Sequence, residues 1–259
     1  MKRLLGTGIF LLMISTLFAD GSVIVLCYHT FLGKKNILYD FSPEQFSNQI
    51  ESIKELGYKF VSFEEIISNN VNGNKNILLT IDDGNSSIKR IVDSVLKPNN
   101  ILPILFIYPA IISHRTFVLK NQDLIDYQKE GFTIGGHGYN HMFVNQKLYD
   151  TDIKCFNREV YLSKTSLEKK LGTNIYVYAY PFGVYSSITI KHLIKAGYHY
   201  SFCLTEKPML VPISLNADLF QLPRYMVTRN NWKGVYQYLK NNLNPPQLVK
   251  KGKKKNGKT

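Results

Sequence analysis

The chain has 259 residues, 44% of them hydrophobic and 20% charged, with a formal net charge of +13. This composition excludes a disordered, fibrous or disulfide-stapled chain, and the length suffices for one large domain with its own core. Lys2 and Arg3 carry two of the excess charges and the six lysines between Lys250 and Thr259 carry six more, leaving +5 on the body.

Lys2 and Arg3 precede an apolar run, Leu4 to Phe18, followed by Ala19 and Asp20. This is the layout of a secretory signal peptide over residues 1–19. The run is short for a bilayer span, which favours a cleaved signal over a retained anchor, although bulky Leu17 precedes the cut. Either way the sequence predicts an exported domain over residues 20–245, in the periplasm or at the cell surface. Residues 246–259 form a basic tail that reads as a solvated end or as an electrostatic contact with an anionic cell surface. An exported chain without a basic–aromatic motif argues against nucleic acid as a partner. The domain is expected to act as a monomer. Its three cysteines, Cys27, Cys155 and Cys203, allow at most one disulfide, and their apolar contexts predict buried free thiols.

Along the chain, short apolar runs alternate with amphipathic stretches. Val23 to Tyr28 is a predicted strand. Ser42-Pro43-Glu44-Gln45 is a helix start with a capping box, and Phe46, Ile50, Ile53 and Leu56 make one face before Gly57. Tyr58–Phe63 is a predicted strand and Glu64–Ser68 a short helix. Ile77–Ile81 reads as a strand buried on both faces, and Ser86–Leu96 as a helix. Ile101–Tyr108 is a strand, Gln122–Glu130 a helix and Phe132–Ile134 a short strand. A long helix is predicted over Thr151–Leu171, with Ile153, Phe156, Val160, Leu167 and Leu171 inward. Ile175–Ala179 is a strand, Ser187–Ala196 a helix, Tyr198–Leu204 and Leu222–Val227 strands, and Trp232–Leu243 a last helix. Strands alternating with helices imply an α/β fold with a parallel sheet. Seven or eight such units suggest a closed or nearly closed barrel, whose chemistry gathers at the carboxyl ends of the strands.

One strand end carries two adjacent carboxylates, Asp82 and Asp83, followed by Gly84, which permits a sharp turn. Two neighbouring like charges are costly to bury unless a cation offsets them, in which case one acid binds the cation and the other moves protons. The other reading is a solvated Asp-Asp-Gly turn. His137 and His141, four residues apart in Ile134-Gly-Gly-His-Gly-Tyr-Asn-His141, favour the first. Two imidazoles and a carboxylate make a three-donor site with a position left for water, as in catalytic zinc centres. Gly135 and Gly136 permit close backbone approach.

The set LLTIDDG, IGGHGYNH and YAYPFG resembles the polysaccharide deacetylases, carbohydrate esterase family 4, also called the NodB homology domain. The resemblance runs from about Val23 to Tyr238. It is nearest to the branch acting on poly-β-1,6-N-acetylglucosamine, a biofilm polysaccharide, which also has an early Tyr-His and a later Tyr-Pro-(Phe/Tyr)-Gly. It implies a distorted (β/α) barrel and a hydrolase that removes N-acetyl groups from an N-acetylated polysaccharide. It implies further that Asp83, His137 and His141 bind a divalent metal, Zn²⁺ being the expected ion, and that Asp82 is the general base. The oxyanion is expected to meet the metal and a backbone N–H near Phe182. The family's usual late histidine acid, in a Leu-x-His context, has no counterpart, and His29 in Leu26-Cys-Tyr-His29 is the replacement that the branch implies. His114, His192 and His199 read as structural. Tyr180, Phe182 and Arg224 are placed on the substrate side of the site. Tyr180 and Phe182 either stack on a sugar ring or are simple core or rim packing, and Arg224 either orients Asp82 or forms a surface ion pair. The departures are Ile81 where phenylalanine is common, Asn85 where an aromatic residue is common, and Gly138 where serine or threonine is common. Deacetylation of peptidoglycan or another glycan, and a catalytically silent glycan-binding domain, are the alternative readings.

Overall fold

Eight short parallel strands wind around a common axis in the computed structural model, which describes residues 21–112 and 115–242. The signal-peptide assignment, His114 and the basic tail lie outside the described residues. In chain order the strands are β1 (Gly21–Tyr28), β2 (Lys59–Phe60), β3 (Asn76–Asp82), β4 (Ile104–Ile107), β5 (Thr133–Gly136), β6 (Val177–Ala179), β7 (Tyr200–Cys203), β8 (Met209–Val211), β9 (Leu222–Pro223) and β10 (Tyr225–Met226). The sheet runs β10-β1-β3-β4-β5-β6-β7-β9, with β2 beside the start of β3 and β8 antiparallel on β1. Its two ends, β9 and β10, are the same stretch of chain interrupted at Arg224. The predicted last strand, Leu222–Val227, is therefore two: its first half pairs with β7 and its second with β1. The barrel is closed there by the covalent backbone rather than by a hydrogen-bonded ladder.

The helices are α1 (Pro43–Glu55), α2 (Phe63–Ile67), α3 (Lys89–Ile91), α4 (Asn121–Lys129), α5 (Gln146–Thr151), α6 (Ile153–Asn157), α7 (Ser163–Leu171), α8 (Ser187–Ala196) and α9 (Trp232–Asn241). The capping box at Ser42 and Gln45 starts α1, as its sequence predicts. A second box, Ser62 with Glu65, starts α2 early and cuts the predicted strand Tyr58–Phe63 to two residues. The predicted helix Ser86–Leu96 is a chain of short turns: a 3₁₀ turn, α3 and a π-turn at Val92–Leu96. The predicted long helix over Thr151–Leu171 breaks at Asp152, whose side chain caps α6 by accepting from the Cys155 N–H. It then widens into a π-turn at Arg158–Leu162 before α7. Phe156, Val160 and Leu167 face inward as expected, but Ile153 points to solvent because the break at Asp152 resets the register.

Side-chain alternation along the strands separates two cores. Ile24, Leu26 and Tyr28 of β1 and Ile77, Leu79 and Ile81 of β3 pack outward against the helices. Val23, Val25, Leu78, Ile104, Phe106, Val177, Ala179, Phe202 and Leu222 fill the barrel. On β3 the inward set is Leu78, Thr80 and Asp82, so the period of two delivers Asp82 into the barrel mouth at the carboxyl end.

Candidate active site

Asp82 is buried, and so is the side chain that faces it. Arg224 donates from Nη1 to Asp82 Oδ1 at 2.7 Å and from Nη2 to Oδ2 at 3.0 Å, with Nη1 also 3.1 Å from Thr80 Oγ1. The guanidinium lies over the Phe106 ring, 5.1 Å from its centroid. Cys27, inward on β1, points its thiol at Asp82 Oδ2 from 3.4 Å. Burial works to raise the Asp82 carboxyl, but Arg224 above all, with His137 and His29, holds it well below the usual carboxylate range. Of the two readings the sequence leaves for Arg224, orienting Asp82 or a surface ion pair, the structure has a buried, two-toothed pair with Asp82.

The next residue turns away. The Gly84 N–H bonds back to the Asp82 carbonyl at 3.0 Å, and Asp83 takes a φ of 73° to close this three-residue turn. A left-handed, non-glycine residue in such a turn is strained, and strain of this kind is kept where a side chain must be aimed. Asp83 Oδ1 is aimed at two imidazoles: it lies 3.7 Å from His137 Nε2 and 3.4 Å from His141 Nε2, which are 3.2 Å from each other.

β5 brings those histidines in. A Cβ at Gly135 would sit 2.6 Å from the Phe106 ring, and one at Gly136 would sit 2.6 Å from the Tyr198 hydroxyl, so only glycines let the strand run this close to its neighbours. The His137 N–H bonds the Ile107 carbonyl, and the Nδ1–H donates to the Ala179 carbonyl at 2.8 Å. That leaves Nε2 as the lone-pair nitrogen facing Asp83. Burial pushes His137 down to about 3 and lowers His141 as well, keeping both neutral as ligation requires. Burial, reinforced by Asp82 and opposed by His29, lifts Asp83 to about 6.

Asp83 Oδ1 is buried without a hydrogen-bond partner. Donors bonded to one ion at about 2.0–2.2 Å in tetrahedral directions lie roughly 3.3–3.6 Å apart, and the spacings here, 3.2, 3.4 and 3.7 Å, match. The orphaned oxygen, the two inward nitrogens and their spacing fit a single divalent cation.

His29 follows β1 and opens onto the same pocket of about 190 Å³ as Asp82, Asp83, His137 and His141. Its Nδ1 is buried with no partner, and its ring lies 5.1 Å from that of Tyr39. Phe182 stands on the rim, 49% exposed, stacked on Phe143 at 4.1 Å and edge-on to the His141 ring at 4.5 Å. Tyr180 lines the pocket wall but is fully buried. Its hydroxyl donates to the Phe220 carbonyl and accepts from Ser201, and its ring stacks on Tyr185, so its face is turned to protein. His192 bonds the Tyr161 hydroxyl between Tyr149 and Phe156, and His199 lies against Tyr176, both away from the pocket. Cys27, Cys155 and Cys203 are free thiols, and Cys155 is only half-buried.

A family model described as polysaccharide deacetylase matches residues 69–201, just over half of the chain and including both β3 and the two histidines. The chain belongs to the polysaccharide deacetylase family. As a polysaccharide deacetylase it is an enzyme, a hydrolase of amide bonds, and the nearly closed mixed sheet is this family's distorted barrel. Among curated relatives, a poly-β-1,6-N-acetyl-D-glucosamine N-deacetylase of Staphylococcus epidermidis is 24% identical over 211 residues, covering 76% of this chain and 72% of that one. A namesake from Staphylococcus aureus is 23% identical over 218 residues, covering 77% and 74%. Among solved structures, IcaB from Ammonifex degensii superposes with a TM-score of 0.73 at 21% identity, covering 85% of this chain and 97% of that one. The Streptococcus pyogenes deacetylase PplD superposes with a TM-score of 0.70 at 23% identity, covering 84% and 98%.

Several residues of the deacetylase site escaped the sequence reading. Thr80 and Cys27 were legible from strand alternation, since each lies inward beside Asp82. Tyr39 sits in a loop whose path no pattern signals. Glu159 and Ser163, which hold the loop bearing His141, sit on a helix whose register a π-turn shifts.

Proposed function

We propose that this deacetylase removes N-acetyl groups from poly-β-1,6-N-acetyl-D-glucosamine outside the cytoplasm, with Asp83, His137 and His141 holding a zinc ion. The observation that carries the reading is the unpartnered Asp83 Oδ1 facing two neutral imidazole nitrogens, with Asp82 fixed beside it by Arg224. The relatives' names support the choice of glycan, and the charged-then-apolar leader over residues 1–19 supports export.

A divalent cation supplies a Lewis acid to the acetamide carbonyl and to a water molecule. The roles of the chain's own residues follow from their surroundings. Asp82, kept anionic by Arg224, takes the proton of the attacking water. Both of its oxygens are bound by the guanidinium, so the carboxylate cannot rotate away. The N–H near Phe182 stabilises the negative charge that develops on the carbonyl oxygen. His29, lining the same pocket close to Asp82, gives a proton to the sugar amine as the C–N bond breaks. Phe182, exposed and braced by Phe143, offers an apolar face to a pyranose ring, and buried Tyr180 keeps the wall behind it rigid.

The test is acetate release from N-acetylglucosamine oligomers linked β-1,6, compared with β-1,4-linked oligomers and with peptidoglycan, using zinc-restored protein and its Asp82→Asn variant. Release from the β-1,6 oligomers that the variant loses is the expected result. Faster release from another glycan would replace the substrate assignment, and none from any would make the domain a silent glycan binder.

A further inference from the structure

Gly138 sits where no side chain fits. Its φ is 72°, and a Cβ there would lie 2.5 Å from Glu159 Oε2. A side chain at 138 and the Glu159 carboxylate exclude each other. Glu159 comes from the π-turn Arg158–Leu162 and is fully buried. An acid so buried is costly unless its oxygens are met by donors. Four N–H donors meet it, all from the 139–142 segment that carries His141. The Tyr139 N–H and Asn140 N–H donate to Oε2 and Oε1 at 2.9 Å each, the Asn140 side-chain amide to Oε1 at 2.9 Å, and the Met142 N–H to Oε2 at 3.3 Å. One turn further on, Ser163 donates from its hydroxyl to the Gly138 carbonyl at 2.7 Å.

These bonds bear on His141 directly. His141 holds a left-handed φ of 61°, a conformation costly for a residue with a Cβ. Its two chain neighbours, Asn140 and Met142, both donate to Glu159. The carboxylate therefore grips the backbone on either side of the strained residue and sets where its imidazole points. Nothing comparable is needed at His137, which is fixed by the β4 carbonyl of Ile107 and by Ala179.

We propose that Glu159 is a positioning residue for the cation site: it holds the 138–142 loop in the shape that brings His141 Nε2 against Asp83 and His137. The proposal rests on the metal-centre reading above. It separates Glu159 from an ordinary core residue, because its loss disturbs the donor triangle and not only the fold.

The experiment measures zinc affinity of metal-stripped protein at 25 °C by competition with a chromophoric chelator, alongside circular dichroism and thermal melting of the stripped form. The proteins compared are native, Glu159→Gln and Val160→Ala. Gln keeps the shape of Glu but offers a single acceptor oxygen to donors that now divide between two. Supporting groups of this kind typically alter affinity by about 10–100-fold, and that loss is expected for Glu159→Gln while the circular dichroism at 25 °C stays native. Val160→Ala, which trims a fully buried neighbour in the same turn, is expected to melt lower but to bind zinc as the native protein does. Native affinity in Glu159→Gln overturns the proposal, as does an equal loss in Val160→Ala. Should Glu159→Gln fail to fold, Gly138→Ala, whose methyl displaces Oε2, takes its place and is read by the same affinity criterion. Absence of zinc binding by native protein sinks the metal-centre reading instead.

Discussion

Replacing Arg224 by methionine leaves Asp82 as a buried anion without its cation. Both partners are almost inaccessible, Arg224 at 1% and Asp82 at 3%, so solvent screening gives little relief. Breaking such a pair from one side costs about 3–5 kcal/mol, a large share of the roughly 5–15 kcal/mol that holds a domain folded. For a domain of this size each kcal/mol moves the melting temperature by about 2–4 °C, so Arg224→Met is expected to melt roughly 6–20 °C lower. Asp82→Asn alone strands the guanidinium and is destabilising too. The double variant removes both charges and should be less destabilised than the sum of the singles by about 1–3 kcal/mol. The assay is thermal or urea unfolding of the four metal-stripped proteins, since bound metal would itself raise the melting point. A fall of less than 2 °C for Arg224→Met, or additive single and double effects (coupling below roughly 0.5 kcal/mol), would falsify the claim that this pair organises the barrel mouth.

His29→Ala is expected to lower turnover by about 10²–10⁴-fold, the scale of a lost general acid, while zinc affinity stays native; unchanged turnover reassigns the acid. Gly135→Ala drives a methyl to 2.6 Å from the Phe106 ring, and overpacking of this kind costs about 1–3 kcal/mol, to be read from the urea midpoint of unfolding. A thiol reagent at neutral pH should titrate Cys155 in native protein and all three cysteines after denaturation. Cys27 is fully buried, and burial raises its pKa well above the ordinary thiol value, so it stays unreactive in the native fold. Rapid modification of Cys27 in folded protein would contradict the packing around Asp82.

The features legible from sequence were those with local causes. Ser42 and Gln45 announced α1 because a capping box is written within four residues. Asp82, Asp83, His137 and His141 stood out because two short motifs each hold their own donors. The pairing of Arg224 with Asp82 was stated as one of two options, and only the fold chose between them, since 142 residues separate the two. Tertiary causes hid the rest. The break of the last strand at Arg224 follows from barrel closure, which apolar periodicity cannot express. Glu159, on the π-turn at Arg158–Leu162, is buried against the loop that carries His141, a placement no local pattern signals. Tyr180 read equally as stacking platform or core, and the neighbouring Ser201 hydroxyl turned it toward the interior.

The seam at Leu222–Met226 ties mechanical integrity to chemistry. Among the described residues no ladder joins β9 to β10, the two ends of the sheet, so the ring is kept shut there by one peptide segment, and the side chain at its midpoint, Arg224, is the counter-ion of Asp82. Peeling that segment away would open the cylinder and strip Asp82 of its guanidinium in a single event. Any fluctuation wide enough to unzip the wall should therefore silence the enzyme before it unfolds.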